Sequence, residues 1–366
     1  MQYRRWTPLG ITSAKKPKYT YLQIEDSGNL IAVDSIQPLF LMKSIDKGDN
    51  WSNIEERTSN NDLILGMWHD VGANRLYCCS ISGAGPTQYA FYVDLSDDSI
   101  TEFGSTPTST TTEDTNQGRD IFKIGSTFYM TNQIQTAVGG VHMEIRVYKY
   151  DAGWVLDASI SLDGIANLAP SPKPVVVIGT DAYFFVRNAL GANTLYLVKF
   201  DSTVPSLTKL YTTTTYDRPT PNLQPLAYDG NNLIYAVLTK TGTNHLMTWN
   251  ITSSSITELA PYDVALQLDR NNRGTVPNEF EKGFDITTKI IYEIKARRGG
   301  LILLQDMSSL LSGNIVAMTD NFFFADDGVG TWDMFEFTEV SSEIDEIEYD
   351  YGIIGIPQVG FFIAHP

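Results

Sequence analysis

Ser27-Gly28-Asn29, followed by Leu30-Ile31-Ala32-Val33 and then Leu39-Phe40-Leu41-Met42, is the stretch that decides the fold. Glycine and asparagine accept the positive φ that tight hairpins demand, and the two apolar runs have the length and residue types of short strands. The same grammar recurs along the chain. The leading runs continue as Arg75-Leu76-Tyr77-Cys78, Thr127-Phe128-Tyr129-Met130, Ala182-Tyr183-Phe184-Phe185-Val186, Leu233-Ile234-Tyr235-Ala236-Val237, Lys289-Ile290-Ile291-Tyr292-Glu293-Ile294 and Asn321-Phe322-Phe323-Phe324. Their partners are Tyr89-Ala90-Phe91-Tyr92-Val93, Ile145-Arg146-Val147-Tyr148-Lys149-Tyr150, Leu195-Tyr196-Leu197-Val198-Lys199-Phe200, Leu246-Met247-Thr248-Trp249, Leu301-Ile302-Leu303-Leu304 and Trp332-Asp333-Met334-Phe335-Glu336-Phe337. The leading runs start at 30, 75, 127, 182, 233, 289 and 321, giving intervals of 45, 52, 55, 51, 56 and 32 residues. Long helical patterns are scarce.

Seven pairs in 366 residues make a repeat of about fifty residues, close to the four-strand blade period of kelch-type propellers. A sheet of four short strands cannot bury both faces alone, whereas radial stacking buries them and leaves only short edges. The reading is an all-β chain: a single β-propeller over residues 1–366 with four-stranded antiparallel blades, seven in number, or six because the last interval is short. A pair of β-sandwiches is the competing architecture; it does not need one hairpin grammar seven times. Three stretches break the beat. Residues 105–116 are a Ser/Thr-rich loop expected to be mobile and exposed. Residues 261–283 form a polar insertion containing Asp269-Arg270-Asn271-Asn272-Arg273-Gly274. Residues 340–366 are an acidic, then apolar tail, expected to close the ring against Tyr19-Thr20-Tyr21-Leu22-Gln23-Ile24 or to dock on a partner chain.

Composition removes several function classes. Lys and Arg number 26 against 43 Asp and Glu, a net charge of −17, which argues against binding a nucleic-acid backbone. No run approaches the roughly 18–20 apolar residues of a membrane-spanning helix, so membrane insertion is not expected. Lys15, Lys16 and Lys18 fall where a signal peptide would carry its apolar stretch, so no secretory leader is expected. The two cysteines, Cys78 and Cys79, are adjacent on a strand and point to opposite faces, which makes them structural thiols rather than a disulfide.

One short motif stands out. Ser44-Ile45-Asp46-Lys47-Gly48-Asp49-Asn50-Trp51 fits S-x-D-x-G-x-x-W and resembles the Asp-box of sialidase-like propellers, at the hairpin position where that motif belongs. Its named residues, Ser44, Asp46, Gly48 and Trp51, are structural in that family: Asp accepts backbone N–H groups, Gly takes a backbone angle a side chain would forbid, and Trp plugs between blades. Tyr150-Asp151-Ala152-Gly153-Trp154 and Phe200-Asp201-Ser202-Thr203 echo it. The arginine cluster, tyrosine nucleophile and acid of a sialidase do not assemble, because Tyr3-Arg4-Arg5-Trp6 and Tyr216-Asp217-Arg218-Pro219 miss the Phe/Tyr-Arg-Ile-Pro motif.

No catalytic residue, metal site or cofactor motif is expected. His69, His142, His245 and His365 form no H-x-x-x-H spacing, Arg273 stands where an EF-hand needs an oxygen ligand, and no G-x-S-x-G occurs. The chain is therefore read as not an enzyme. It resembles the non-enzymatic propeller proteins of phage and virus particles, and that resemblance implies a virion tail, nozzle or decoration protein, assembled in the host cytoplasm, alone or as a homo-oligomer. The implied partners are other virion proteins or host-surface glycans. Aromatic-bearing segments offer flat faces for sugar rings, so the candidate contacts are Trp68, His69, Trp154, Tyr216, Arg218 and Trp332. The alternatives are a carbohydrate-active enzyme, sialidase-like or otherwise, using the central mouth, and a kelch-type cytoplasmic scaffold.

Overall fold

A computed structural model of the chain describes residues 2–10, 19–24, 28–34, 39–57, 63–70, 72–81, 88–105, 113–114, 121–136, 142–162, 175–188, 194–215, 218–219, 227–228, 232–240, 243–258, 266–268, 282–285, 289–295, 300–311, 314–318, 321–326 and 332–341. The described strands fall into seven antiparallel sheets. Strand β1 (Gln2–Pro8) belongs to the last of them. The first sheet runs β2 (Tyr19–Ile24), β3 (Leu30–Asp34), β4 (Leu39–Ser44) and β5 (Ser52–Arg57). The second runs β6 (Leu63–Asp70), β7 (Arg75–Ile81), β8 (Gln88–Asp94) and β9 (Ile100–Ser105). In the third, β10 (Glu113–Asp114) and β11 (Ile121–Ile124) both pair with β12 (Thr127–Thr136), followed by β13 (His142–Tyr150) and β14 (Trp154–Leu162).

The fourth sheet is β15 (Val176–Ile178), β16 (Asp181–Asn188), β17 (Thr194–Asp201) and β18 (Ser206–Thr213). In the fifth, β19 (Arg218–Pro219) and β20 (Ala227–Tyr228) pair with β21 (Leu233–Lys240), followed by β22 (Thr243–Asn250) and β23 (Ser255–Glu258). The sixth is β24 (Leu266–Leu268), β25 (Lys282–Asp285), β26 (Ile290–Lys295) and β27 (Gly300–Asp306). The seventh is β28 (Asn314–Met318), β29 (Phe322–Asp326), β30 (Trp332–Ser341) and, on its outer side, β1.

Six of the seven sequence pairs are the two central strands of their sheets; the pair in the sixth sheet is β26 and β27, with β27 at the sheet edge. Central strands are apolar on both faces because each sheet is a filling between two others. In the fourth sheet Ala182, Phe184, Val186, Tyr196, Val198 and Phe200 pack toward Phe122, Ile145 and Val147 of the third. Their sequence neighbours Tyr183, Phe185, Leu195 and Leu197 pack toward Ile234, Leu238, Met247 and Trp249 of the fifth. Full burial of each such side chain contributes roughly 1.5–3 kcal/mol. The two cysteines obey the same alternation: Cys78 joins the core between first and second sheets, and Cys79 the core between second and third, both as free thiols.

The stack returns on itself. Leu30 and Ala32 of the first sheet share a core with Phe322, Phe324 and Met334 of the seventh, and Ile291 of the sixth packs with Trp6, Phe323 and Phe335 of the seventh. Strands β21 and β24 touch between the fifth and sixth sheets. A closed ring of small sheets is the propeller expected from the repeat, and it excludes the two-sandwich alternative.

Closure differs from the expectation. It is made by β1, whose residues pair antiparallel with β30 from Gln2 opposite Ser341 to Pro8 opposite Phe335. The Tyr19–Ile24 strand instead opens the first sheet, where its register is held by β3. Of the tail, Val340 and Ser341 complete β30, and residues 342–366 lie outside the described residues. The Ser/Thr-rich stretch contributes Ser105 to β9 and Glu113–Asp114 to β10, and the polar insertion contributes Leu266–Leu268; their other residues, apart from Lys282 and Gly283 in β25, lie outside the described ones.

The short last interval has a physical cause. In five sheets the third strand is followed by a fourth that covers it. After β27 only residues 307–313 precede β28, and among the described residues no strand lies on the outer side of β27. Its turn identifies β27 as a third strand: Met307 N–H donates to Lys289 C=O, as Leu95 N–H does to Asn74 C=O and Ile251 N–H to Asn232 C=O in other sheets.

Candidate interaction face

The described hairpin turns project from one end of the ring: residues 45–51, 72–74, 95–99, 125–126, 151–153, 179–180, 202–205, 251–254 and 307–310. The links between second and third strands at the other end lie outside the described residues.

The 44–51 turn shows how the turn end is braced. Ser44 Oγ donates to Asp46 Oδ1 at 2.7 Å and accepts from Gly48 N–H at 2.8 Å. Asp46 also takes the Asn50 backbone N–H at 2.8 Å and its side-chain amide at 2.7 Å. Partial burial pushes the Asp46 carboxyl up, but the Asn50 and Ser44 hydrogen bonds outweigh it and hold the group below the ordinary carboxylate range. Lys47 and Gly48 both take positive φ, at 60° and 103°. A Cβ on Gly48 would stand 2.9 Å from the Trp332 ring, so the turn seats against the seventh sheet only because glycine is there. Trp51 is half-buried in the same first–seventh core.

Other sheets use a shorter version. A carboxylate or amide at the end of the third strand accepts the N–H two residues on: Asp94 from Ser96, Asp201 from Thr203, Asn250 from Thr252 and Asp306 from Ser308. The Ser96, Thr203 and Ser308 hydroxyls hold the Asp94, Asp201 and Asp306 carboxyls below their usual range. The sequence reading caught the Asp201 echo but missed the others, although D-x-[ST] or N-x-T after each second apolar run was a readable signal.

Charged pairs tie neighbouring sheets together near this end. Lys43 of the first sheet meets Asp98 of the second, Lys123 of the third lies 2.6 Å from Asp70 of the second, and Lys47 lies 3.1 Å from Glu336 of the seventh. On this rigid base, the apolar tips Ile45, Val204 and Leu310 are 73%, 70% and 47% exposed at equivalent turns of the first, fourth and sixth sheets.

Of the sequence-predicted contacts, the three with described side chains are packing residues. Trp68 and Trp154 are 5% and 4% exposed in the core between second and third sheets. The Trp68 ring lies 5.7 Å from Tyr77 and the Trp154 ring 5.2 Å from Tyr150, so these rings supply packing rather than an open face for a sugar. Trp332 is half-buried, stacks on Phe324 at 5.3 Å and walls the Gly48 turn. His69 faces Leu76 across the β6–β7 ladder and Arg218 faces Thr239, with both side chains outside the described residues, as is Tyr216 entirely.

No protein-family model and no curated protein matches the chain. Solved structures do. An oligogalacturonate lyase in complex with manganese aligns with a TM-score of 0.55 at 9% identity, covering 93% of this chain and 98% of that one. A protein from Lactobacillus plantarum aligns at 0.54 and 13% identity, covering 80% and 86%. A chain of a mitotic checkpoint complex aligns at 0.53 and 10% identity, covering 92% and 91%. At such identities the likeness speaks for the fold alone, and the fold is the β-propeller. It also corrects one expectation: the same ring, nearly end to end, is that of an enzyme, so the missing motifs do not make this chain a non-enzyme.

Proposed function

We propose that the protein is a recognition scaffold, a propeller that presents braced, apolar-tipped turns to a protein partner. The observation that carries this is the exposure of Ile45, Val204 and Leu310 at equivalent turns, each fixed from beneath by hydrogen bonds within its own turn. Exposed apolar side chains on a rigid frame lose little conformational entropy on binding. Use of this fold inside an assembly is supported by the similar chain in the mitotic checkpoint complex.

In finer detail, we propose a component of a virus or phage particle, in contact with other virion proteins or host-surface glycans. The 44–51 turn supports this reading through its likeness to the Asp-box of sialidase-like propellers, as do the repeated sheets and acidic composition.

The test combines particle composition with crosslinking. Purified particles are analysed by quantitative mass spectrometry, and photo-crosslinkers are placed through Ile45→Cys and Val204→Cys, with Thr208→Cys on an outer strand as control. Co-purification at fixed stoichiometry, with crosslinks concentrated at the turn end, is the expected result. Protein found free and absent from particles removes the virion assignment, and equal crosslinking from position 208 removes the turn end as the contact face. Turnover of oligogalacturonate, with or without manganese, would put catalysis in place of binding.

A further inference from the structure

We infer that the partner of the turn end is a basic protein surface, one that sets apolar side chains beside lysines or arginines. The inference rests on the reading of that end as the contact face and adds the chemistry of what the face takes.

The bases near this end are already engaged. Five are neutralised within the ring: Lys43 by Asp98, Lys47 by Glu336, Arg75 by Asp94, Lys123 by Asp70 and Lys199 by Asp181. Lys149 is half-buried and acts on Asp157, and Lys289 is half-buried in its own turn. The acids are placed differently. Asp49, Asp97, Asp151 and Asp306 stand exposed at turns of the first, second, third and sixth sheets. In sequence, the stretches that join first to second strands outside the described residues (25–27, 71, 229–231, 286–288 and 319–320) contain no lysine or arginine. Negative charge therefore faces outward, while positive charge is turned to the seams between sheets.

The apolar tips are interleaved with these acids. Ile45 shares a turn with Asp49, and Leu310 follows Asp306 by four residues. Val155 and Leu156, just past the Asp151 turn on β14, are 57% and 48% exposed. A nucleic acid, an acidic glycan or an anionic lipid surface would be repelled by this pattern, and a second copy applied through the same face would set acid against acid. A neutral sugar stacks on flat rings, whereas the exposed tips are aliphatic. A basic protein surface satisfies both features. Its lysines or arginines reach carboxylates that no internal ion pair holds, and its apolar neighbours cover the aliphatic tips.

Fluorescence anisotropy on the full chain tests this with three labelled synthetic peptides, built from Lys and Leu, from Lys and Ser, and from Glu and Leu. The Lys–Leu peptide is expected to bind best, less tightly as salt rises from about 0.05 to 0.15 M, and the Glu–Leu peptide not to bind. Asp49→Asn with Asp151→Asn should weaken the Lys–Leu complex roughly three- to tenfold. Glu55→Gln with Glu102→Gln, which removes the same charge from outer strands, should change it less than about twofold. Ile45→Ser with Val204→Ser should bring the Lys–Leu peptide down to the level of the Lys–Ser one. Equal losses from the two acid pairs, no loss from the turn pair, or binding of the Glu–Leu peptide would overturn the proposal. Crosslinks concentrated at positions 45 and 204 would then leave the contact face standing and discard only its basic partner; crosslinks as strong at position 208 would remove the face itself.

Discussion

The side-chain amide of Gln305 in the sixth sheet grips the backbone of Trp6 in the seventh, accepting its N–H at 2.7 Å and donating to its C=O at 3.1 Å. The amide thus behaves toward β1 as a neighbouring strand would, on the side that β30 does not cover. Gln305→Ala withdraws both bonds and is expected to destabilise the fold by about 1–3 kcal/mol. Gln305→Glu keeps an acceptor for the N–H but sets a carboxylate against the C=O, so it should fall at least as far. Urea midpoints at constant slope measure both, and an unmoved midpoint would show that the ladder and core alone hold the closure.

Gly48→Ala tests the seating of the 44–51 turn on Trp332. The backbone angle and the 2.9 Å approach both oppose a Cβ, so a loss of about 1–3 kcal/mol is expected. Pairing it with Trp332→Leu removes the steric part and leaves the backbone part. A double variant no more stable than the sum of the single losses would mean that the ring is not what the new methyl meets.

Trp68→Ala distinguishes packing from recognition. With the ring 5% exposed between the second and third sheets, its truncation should lower stability by about 3–5 kcal/mol. A variant with unchanged thermal midpoint and weakened partner binding would contradict that placement.

The turn carboxylates set the acid limit of the fold. Asp94, Asp97, Asp201 and Asp306 are held below their ordinary range by hydroxyl and N–H donors, and Asp46 by its Asn50 and Ser44 bonds against partial burial. A carboxyl with a lower pKa in the folded state stabilises fully above its unfolded value, near 3.9, and that contribution disappears as pH falls through the folded value. The thermal midpoint should therefore change little between about pH 7 and 5 and drop below about pH 4. Asp157 has the opposite sign, because burial raises its carboxyl while Lys149 only partly offsets it. Asp157→Asn should raise the midpoint at neutral pH and steepen the acid loss; a lower neutral midpoint would show that the Lys149 attraction dominates.

What could be read from the chain alone was local. Alternating β-branched and aromatic residues with Gly or Asn turns are decided within a hairpin, so all seven hairpin pairs, the opposed faces of Cys78 and Cys79 and the braced Asp46 turn were legible. Exposure was not. A tryptophan such as Trp68 follows the same period-two pattern whether its face meets water or another sheet, and only packing of the second sheet on the third placed it inside.

Ring closure belonged wholly to the tertiary structure. Gln2 and Ser341 lie at opposite ends of the described chain, and nothing in either short strand encodes its partner. Strand propensity says that a segment will be extended; which edge it covers depends on the backbone groups that the assembled sheets leave open. That is why Gln2–Pro8 rather than Tyr19–Ile24 completes the seventh sheet, and why the short final interval became intelligible only once β28 was seen to open a new sheet directly after β27.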